Sequence, residues 1–529
     1  MPRRFVFLAM FVCSAVAASA QVQEQITVEA VDVPVYVYSQ GKPVRDLTKD
    51  DFELYVNRKR QVIDYFEIVD FAESAAASPE EAPSAASHAE LRERRLFLLL
   101  FDLIFKHPNF VPYASALNRS RRAAVDMVDH ALPTDLFAVA AITGGGVKFV
   151  SPFLRDHDAV RRAILQLAPS KTHDELGLSI TASEREMADA WGSASLPDLL
   201  GAAKALAADR EAYLAKERIE SYAKVADRLR GLEGFKHVIL FSDGYPFDPA
   251  RQGSSVKGMA AAFQSANAYL HTVDLTPMAT GSDPAVMSPP DVSALERPTV
   301  NHEAFAIPGV DWFAPQRSVI PPSENESLYV MSNATGGSWV HWTAGRMAPA
   351  LQNLSASYSA VYRIGFKPSD ARKGHNDIDV KVKNLPRGAT VSFRRGFSAT
   401  VAAKAAAVTD PLLLADIIQN DVPQSGTPPE VAVAGRRIEV LVPIRSLSRQ
   451  LGALNAVQVL LYVFDSKGVP VLAKQKAFTL KGRGTTDRVI QQKLDLAPGS
   501  YVAKVLLRTN DSLAFVKKPF AIGPDGPSE

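Results

Sequence analysis

The sequence predicts a doubly wound α/β domain flanked by antiparallel β-sandwich domains, and three observations lead to this prediction. Short apolar strands alternate with amphipathic helices between residues 94 and 356, a pattern typical of a mainly parallel sheet covered on both faces. The segments on either side alternate apolar and polar residues with a period of two, which indicates antiparallel strands. The chain of 529 residues is also too long for a single core.

The first twenty residues have the composition of a secretory signal peptide. Arg3 and Arg4 precede an apolar stretch, and small residues end it at Ala20. The only cysteine, Cys13, lies inside this segment. We therefore expect cleavage near Ala20 and an exported mature chain, periplasmic or extracellular, with no disulfide and no membrane span.

The charge balance argues against a nucleic-acid partner. Lysine and arginine number 59 against 57 acidic residues, which gives a net charge of +2. Proteins that bind nucleic acid through their charge usually carry a clear basic excess. We expect a protein as the partner instead.

Composition changes along the chain predict the domain boundaries. The predicted segments are a signal peptide at 1–20, an N-terminal β unit at 21–72, a linker at 73–93, the α/β domain at 94–356, strands at 357–400 that complete the N-terminal sandwich, a linker at 401–429, and an immunoglobulin- or fibronectin-like sandwich at 430–529. The α/β domain would then be inserted between two parts of one sandwich.

Within the α/β domain, apolar runs and amphipathic periodicity predict the order of elements. Strands are predicted at 95–102, 136–142, 147–151, 237–242, 270–275 and 338–342, and helices at 114–131, 157–167, 256–269, 326–334 and 345–356. A charged insertion at 174–231 is predicted to form a helical hairpin on the rim, with a partner-binding arm as the alternative. Residues 276–323 are rich in proline and serine and predict a long surface loop.

Two of the predicted strands end on an aspartate. The segment "RRLFLLLFDLIFK" delivers Asp102, and "KHVILFSDGYP" delivers Asp243. The carboxyl ends of parallel strands meet at one edge of a doubly wound sheet, where ligands bind. We therefore expect the two carboxylates to lie close together.

The chain resembles the bacterial exported VWFA-related family, whose central domain is of the von Willebrand factor type A class. The segments that carry the resemblance are "GKPVRDLTKDDFEL" at 41–54, "DLFAV" at 135–139, "ILFSDG" at 239–244, "YLHTVDL" at 269–275, "TGG" at 335–337, "YRIGFKP" at 362–368 and "RRGF" at 394–397. The order of these segments is more specific than any one of them.

The resemblance implies a metal-ion-dependent adhesion site that binds Mg²⁺ through two aspartates and three hydroxyl groups. Here Ile104 and Lys106 take the two serine positions, and Leu154 is matched to the threonine position. Mg²⁺ prefers hard oxygen ligands, so we expect no metal or other cofactor, with Lys106 neutralising the carboxylates. In the alternative interpretation, Asp102 and Asp243 only cap the following turns.

The predicted function is non-catalytic protein–protein interaction, either adhesion-like or as a scaffold, with no catalytic residue. The predicted partner-binding residues are Asp102, Lys106, Phe153, Asp243 and Tyr245. One alternative keeps Mg²⁺-dependent adhesion at a residual site, which needs further oxygen ligands near the aspartates. The other is an exported hydrolase using the same crevice, which needs a serine or histidine beside them.

Two further motifs have competing interpretations. "TGG" at 335–337 lacks the lysine and hydroxyl spacing of a phosphate-binding loop, so we interpret it as the stop signal of a helix. "WVHW" at 339–342 alternates in the manner of a strand. A core strand is therefore favoured there over an aromatic recognition patch.

Overall fold

The computed structural model describes most of the chain. The described residues are 30–77, 88–104, 110–143, 145–167, 196–245, 247–275, 326–340, 346–368, 374–398, 408–451, 456–479, 486–510 and 512–523. The predicted signal peptide, the 276–323 loop, the first part of the predicted insertion and Lys106 lie outside these residues.

The described chain begins with strands of an antiparallel sandwich. They are β1 (Val31–Ser39), β2 (Lys42–Pro43), β3 (Phe52–Val56), β4 (Lys59–Gln61) and β5 (Tyr65–Asp70). Two short helices follow in the segment predicted as a linker, α1 (Phe71–Ala77) and α2 (His88–Glu93). Part of that linker is therefore helical, and the buried Leu91 ties α2 to an apolar cluster.

A six-stranded sheet forms the centre of the α/β domain. Its strands are β6 (Arg95–Asp102), β7 (Leu136–Thr143), β8 (Gly146–Leu154), β9 (Phe235–Ser242), β10 (Ala268–Asp274) and β11 (Trp339–Val340), in the order β11-β10-β9-β6-β7-β8. All neighbours run parallel except β7 and β8, which are antiparallel. Every residue of β6 and β9 is buried, which explains their continuous apolar sequences.

Helices cover the two faces of this sheet. They are α3 (Phe110–Asp129), α4 (His157–Gln166), α5 (Leu196–Leu229), α6 (Pro249–Ser265), α7 (Glu326–Thr335) and α8 (Met347–Ser357). Successive side chains of a strand point to opposite faces. Leu96, Leu98 and Leu100 therefore join the core under α5, α6 and α7, here called the α5 face. Phe97 and Leu99 join the core under α3, α4, α8 and strand β1, here called the β1 face.

The predicted position of the 174–231 insertion on the rim is wrong, because its described part, α5, is one continuous helix that packs on the sheet. The hairpin itself involves residues outside the described ranges and stays a prediction. Ala215, Ile219, Tyr222, Val225 and Leu229 recur at helical spacing and are fully or almost fully buried in the α5 face. Such spacing gives a helix one apolar stripe that must be covered. The second half of α5 is therefore an integral layer of the α/β fold.

Helix α6 begins earlier than the predicted residue 256. The Asp248 side chain accepts a hydrogen bond from the backbone N–H of Ala250, and Pro249 occupies the first turn. An aspartate cap followed by proline is a strong start signal for a helix. The helix is therefore about two turns longer at its start than predicted, and these turns extend the cover of the α5 face.

The strands that follow the α/β domain return to the first sandwich. They are β12 (Ala360–Phe366), β13 (His375–Val382), β14 (Thr390–Phe393) and β15 (Gly396–Ser398). One sheet has the order β14-β1-β12-β5 and the other has β15-β13-β3-β4. Because β1 pairs with both β12 and β14, the α/β domain is inserted within one antiparallel sandwich.

The segment predicted as the 401–429 linker contains a helix, α9 (Pro411–Asn420). Asp410 caps it by accepting from the N–H of Leu412. Arg94 at the start of the central sheet donates two hydrogen bonds to Asp416, at 3.0 and 2.5 Å. The helix is therefore a structural bridge from the α/β domain to the last domain.

The last domain contains two antiparallel sheets. Its elements are β16 (Glu430–Ala434), β17 (Arg437–Val442), α10 (Ile444–Leu451), β18 (Ala456–Asp465), β19 (Pro470–Thr479), β20 (Arg488–Lys493), β21 (Gly499–Arg508) and β22 (Leu513–Ile522). The sheet orders are β16-β17-β20 and β19-β18-β21-β22, and apolar side chains of both sheets share one core. Within the described ranges, no helix has the length and apolarity needed to cross a membrane.

Candidate functional site

The two predicted aspartates lie at the same edge of the central sheet. Asp102 is the last residue of β6, and Asp243 follows the last residue of the neighbouring parallel strand β9. Their side chains are 0% and 5% exposed. The expected pairing is therefore present, and both carboxylates are buried.

The cation between these carboxylates comes from helix α5. Arg218 Nε lies 3.6 Å from Asp102 Oδ2, and Arg218 Nη1 lies 3.6 Å from Asp243 Oδ1. The same Nη1 donates to the carbonyl of Gly244 at 3.2 Å. One guanidinium thus bridges the ends of two strands, and its side chain is only 4% exposed.

Burial alone would lower the pKa of Arg218, but Asp102 and Asp243 raise it above its ordinary value. Arg218 therefore stays charged, and the site holds two carboxylates against one guanidinium. Nε of Arg218 has no hydrogen-bond partner among the described residues. The cation is held mainly by charge, and its hydrogen bonding is incomplete.

Neutral donors complete the surroundings of Asp102. Tyr222, one turn beyond Arg218 on α5, donates its hydroxyl to Asp102 Oδ2 at 2.9 Å, and Ser242 donates to the same oxygen at 3.0 Å. The backbone N–H of Ile104 donates to Oδ1 at 3.0 Å, as the capping interpretation expects. Burial and the adjacent Asp102 raise the pKa of Tyr222, so its hydroxyl keeps its proton.

The turn after β9 is built tightly around Asp243. Gly244 has a φ of +62°, and a Cβ there would come within 3.0 Å of the Leu328 side chain. The next residue, Tyr245, donates its N–H to Ser327 Oγ at 2.9 Å and is buried. The glycine allows β9 to turn sharply against α7.

The predicted role of Phe153 beside the aspartates is wrong. Strand β8 runs antiparallel to β7, so Leu154 pairs with Phe137 at the start of β7, while Asp102 pairs with Ile142 near its end. Phe153 and Leu154 therefore lie near the amino-terminal ends of the parallel strands, whereas Asp102 lies at their carboxyl ends. Leu154 cannot stand at a threonine position of this site.

Burial also corrects the predicted partner-binding surface. Asp102, Phe153, Asp243 and Tyr245 are 1–4% exposed, so a partner does not reach these side chains in this conformation. Lys106 lies outside the described residues, and its predicted neutralising role stays a prediction. In the described part of the site, the neutralising cation is Arg218.

The residues at this edge do not fit the Mg²⁺ site that the family resemblance implies. Arg218 lies between the carboxylates, where it competes with a metal ion for the same oxygens. Ser242 and Tyr222 do bring two further oxygens to Asp102, but both donate their hydrogens to it. In the described ranges, no group of three or more histidine, cysteine or acidic side chains is arranged to hold a metal.

The hydrolase alternative requires a serine or histidine beside the aspartates, and Ser242 meets the first condition. Ser242 is completely buried, and its oxygen also accepts the N–H of Gly244 at 3.1 Å. His237 and His271, the histidines of β9 and β10, lie on the β1 face with Tyr36. They are on the other side of the sheet from Ser242.

Arg218 is the site residue that was not predicted from the sequence. It precedes Tyr222 by four residues on α5, and Ile219 is fully buried beside it, so a charged residue adjoins the apolar stripe of the helix. A buried charge usually has a partner. The two strand-end aspartates were the available partners, but the packing of α5 on this edge had to be known first.

Comparisons with solved structures return von Willebrand factor type A domains. A von Willebrand factor type A protein from Catenulispora acidiphila is 8% identical, with 94% of this chain and 75% of that chain covered and a TM-score of 0.27. The VWA domain of SpRpn10 is 9% identical over 34% of this chain and 75% of that chain, with a TM-score of 0.19. The pilus adhesin SpaC from Lactobacillus rhamnosus GG is 8% identical over 82% of this chain and 66% of that chain, with a TM-score of 0.23.

No protein-family model matches the sequence, and no curated protein matches it. The structural scores are too low to transfer a function. The architecture of the chain itself, a mainly parallel sheet covered by helices on both faces, defines the broad α/β class.

Proposed function

We propose that this chain is an exported, non-catalytic protein of the von Willebrand factor A type that binds a partner protein at the strand-end edge of its central sheet without a metal ion. The observation that carries the proposal is the guanidinium of Arg218 between Asp102 and Asp243. An internal cation takes the place that a metal ion has in metal-dependent adhesion. The two carboxylates then have a positive counter-charge without an external metal ion.

The contact surface of this proposal is the rim around the buried site. Ala250 and Arg251, in the first turn of α6, are exposed, and Phe247 before them is partly exposed. The ion pairs of Arg218 hold the neighbouring turn at Gly244. The buried aspartates therefore act on the rim indirectly, because they hold Arg218 and through it the turn at Gly244. The exposed residues of the rim contact the partner.

Calorimetric titration of Mg²⁺ and Mn²⁺ into the mature chain tests the metal-free part of the proposal. We expect no binding heat from the wild-type chain. Arg218→Ala should bind Mn²⁺, because it leaves two carboxylates without their cation. Arg230→Ala, which removes an arginine just beyond the end of α5, is the control and should not bind. Metal binding by the wild-type chain that Asp243→Ala abolishes would restore metal-dependent adhesion.

Photo-crosslinking in the native exporting cell tests the location of the partner. A photoreactive amino acid at Ala250 should capture a discrete protein, because this position is on the proposed rim. The same amino acid at Arg155, an exposed position following β8 at the opposite edge of the sheet, is the control. Equal capture at the two positions would contradict a partner site at the strand ends.

The absence of catalysis is part of the proposal and has its own test. Ser242 is buried and donates its hydrogen to Asp102, which keeps its oxygen from a substrate, and the histidines of β9 and β10 lie on the other face of the sheet. A serine-reactive fluorophosphonate should therefore leave the chain unlabelled. Labelling that is lost in Ser242→Ala would favour the hydrolase.

A further inference from the structure

A cleft at the joint between the α/β domain and the first sandwich lies away from the strand-end site. Its volume is about 130 Å³, on the order of ten times the space that one buried water needs. The lining residues are Tyr38, Tyr329, Ser332, Asn333, Gly336, Gly337, Ser338, Trp339, Thr390, Val391, Ser392 and Arg395. The cleft lies between β11 and β14, each of which is an edge strand of its sheet.

Two glycines shape one wall of this cleft. Helix α7 ends at Thr335, and Gly336 follows with a φ of +80°, which supports interpreting "TGG" as a helix stop. A Cβ on Gly336 would lie 2.0 Å from the carbonyl oxygen of Phe393, and one on Gly337 would lie 2.0 Å from that of Leu270. The glycines therefore bring the end of α7 close to β14 as well as ending the helix.

Many polar groups in the wall are already engaged. Ser392 donates to the carbonyl of Gly336 at 2.5 Å, and Ser338 Oγ lies 3.1 Å from the Tyr38 hydroxyl and 3.0 Å from that of Tyr358. The backbone N–H of Ser338 donates to His271 at 3.1 Å. These bonds fix the wall, so the hydroxyls of Ser338 and Ser392 are not the groups that select a ligand.

Arg395 is the charged residue of the described lining, and no acidic side chain lines the cleft beside it. The guanidinium stacks on Phe393, with 4.3 Å between Cζ and the ring centroid. Its Nε is buried and has no hydrogen-bond partner among the described residues. Burial lowers the pKa of Arg395, and the charge of Asp379 offsets this only in part. The residue as a whole is only partly buried, so a guanidinium with incomplete hydrogen bonding borders the cleft, where an anionic ligand would complete it.

We propose that this cleft binds a carboxylate, which the Arg395 guanidinium receives while the aromatic side chains of Tyr329 and Trp339 pack against the rest of the ligand. Guanidinium pairs with carboxylate in a planar, two-bond geometry. One positive charge in the described lining matches one negative charge, so a monoanion fits better than phosphate. Tyr329 and Trp339 meet edge to face, 6.3 Å apart. The proposal does not depend on the strand-end site or its partner.

A carboxylate reaches this cleft from a free organic acid or from an acidic side chain of a peptide. Saturation-transfer difference NMR on the mature full chain, with acetate, 3-phenylpropionate, a capped Gly-Glu-Gly peptide and inorganic phosphate as probes, separates the two sources. We expect millimolar binding of the carboxylates, and tighter binding of 3-phenylpropionate than of acetate because of the aromatic walls. Binding of the peptide alone would assign the source to a partner's side chain. Tighter binding of phosphate than of any carboxylate would overturn the proposal.

Variants locate the binding. Arg395→Gln should weaken carboxylate binding by at least about tenfold, as expected for the loss of a charged hydrogen bond, and Arg395→Lys should retain part of it. Arg387→Gln removes an exposed arginine from the loop before β14 and should leave binding unchanged. Unchanged affinity in Arg395→Gln, or no carboxylate binding by the wild-type chain, would overturn the proposal.

Thermal unfolding without ligand separates a binding role from a structural one. Because Asp379 offsets the burial of Arg395 only in part and Nε has no hydrogen-bond partner among the described residues, Arg395→Gln should keep or raise the melting temperature of the ligand-free chain. A structural arginine would give a lower melting temperature. A drop of several degrees together with unchanged carboxylate binding would overturn the proposal.

Discussion

Two arginines are buried against the same sheet, yet they are held very differently. Arg95, at the start of β6, donates to both oxygens of Asp135 at 2.8 and 2.6 Å, and Nη1 donates to the carbonyls of Ser355 and Tyr358 at 3.1 Å each. Arg218, on the opposite face and at the opposite end of the strands, reaches its two carboxylates only at 3.6 Å.

The difference indicates two roles for one residue type. Arg95 has the paired, two-bond geometry of a structural ion pair and also fixes the chain where it leaves α8. Arg218 balances charge but leaves its own Nε without a partner in the described surroundings. Complete hydrogen bonding marks the fixed end of the sheet, and incomplete hydrogen bonding marks the end that we propose for binding.

The largest effect is expected from Arg95→Met. This change leaves Asp135 buried without its cation and removes the donors to two carbonyls, so we expect the free energy of unfolding to fall by about 3–5 kcal/mol. Urea unfolding followed by circular dichroism measures it. A loss below about 1 kcal/mol would break the comparison, because Arg95 would then be no more structural than a surface arginine.

Arg218→Met should cost less, about 2–3 kcal/mol, because only one direct hydrogen bond is lost and Asp102 keeps its three other donors. Millimolar Mn²⁺ should restore part of this loss, since a metal ion can neutralise the freed carboxylates. The matched measurement is Arg95→Met in the same Mn²⁺ buffer. Equal recovery of the two variants would show that Mn²⁺ acts elsewhere.

Lower pH should destabilise the β1 face of the sheet, which also carries Arg95. Burial, His271 and Arg95 lower the pKa of His237, and burial lowers the pKa of His271 to about 3. Both histidines are therefore neutral in the folded chain. Their contribution to the free energy of unfolding is fully present above the unfolded pKa of about 6.5. It is lost as the pH falls below that value, because the unfolded chain then binds more protons.

Between pH 7 and pH 5 each of these histidines should cost about 2 kcal/mol of stability. Denaturant unfolding across this range measures the slope. His271→Gln should reduce the slope, whereas His130→Asn, which changes a residue with a 60% exposed side chain, should not. The same slope in both variants would place the acid sensitivity in another part of the chain.

The smallest effect is expected from Tyr222→Phe. It removes the hydroxyl that donates to Asp102 at 2.9 Å, and loss of such a bond costs about 1–2 kcal/mol. Tyr213→Phe, on the same helix with a 62% exposed side chain, is the control and should change stability little. Equal effects of the two changes would mean that the hydroxyl does not stabilise the site.

The strands of the central sheet could be predicted because a strand that is buried on both faces has an unbroken run of apolar residues. The strand 95–102 was predicted with the bounds that the structure has, and the meeting of Asp102 with Asp243 followed from parallel strand ends. The four residues between the predicted strands 136–142 and 147–151 are too few for a parallel crossover and already require an antiparallel β8, and the error at Phe153 came from overlooking this. Helix α9 was missed because its cap at Asp410 follows an alanine-rich stretch.

The site was harder to predict because its decisive contact is long-range. Arg218 is separated from Asp102 by more than one hundred positions of sequence, and its place beside the apolar stripe of α5 does not show which partner it has. Lys106 is nearer to Asp102 in sequence, so the sequence favours it as the cation that neutralises the carboxylates. Arg218 is far from Asp102 along the chain but close to it in the fold, and only the fold shows this proximity.

The insertion of the α/β domain into the sandwich has a mechanical consequence. The chain leaves β5 at Asp70 and returns at Ala360, and these two residues are paired neighbours in one sheet. Tension applied through the polypeptide on either side of the sandwich therefore passes across the ladder between β1, β12 and β14 and bypasses the inserted domain. The strand-end site keeps its geometry under load until that ladder shears.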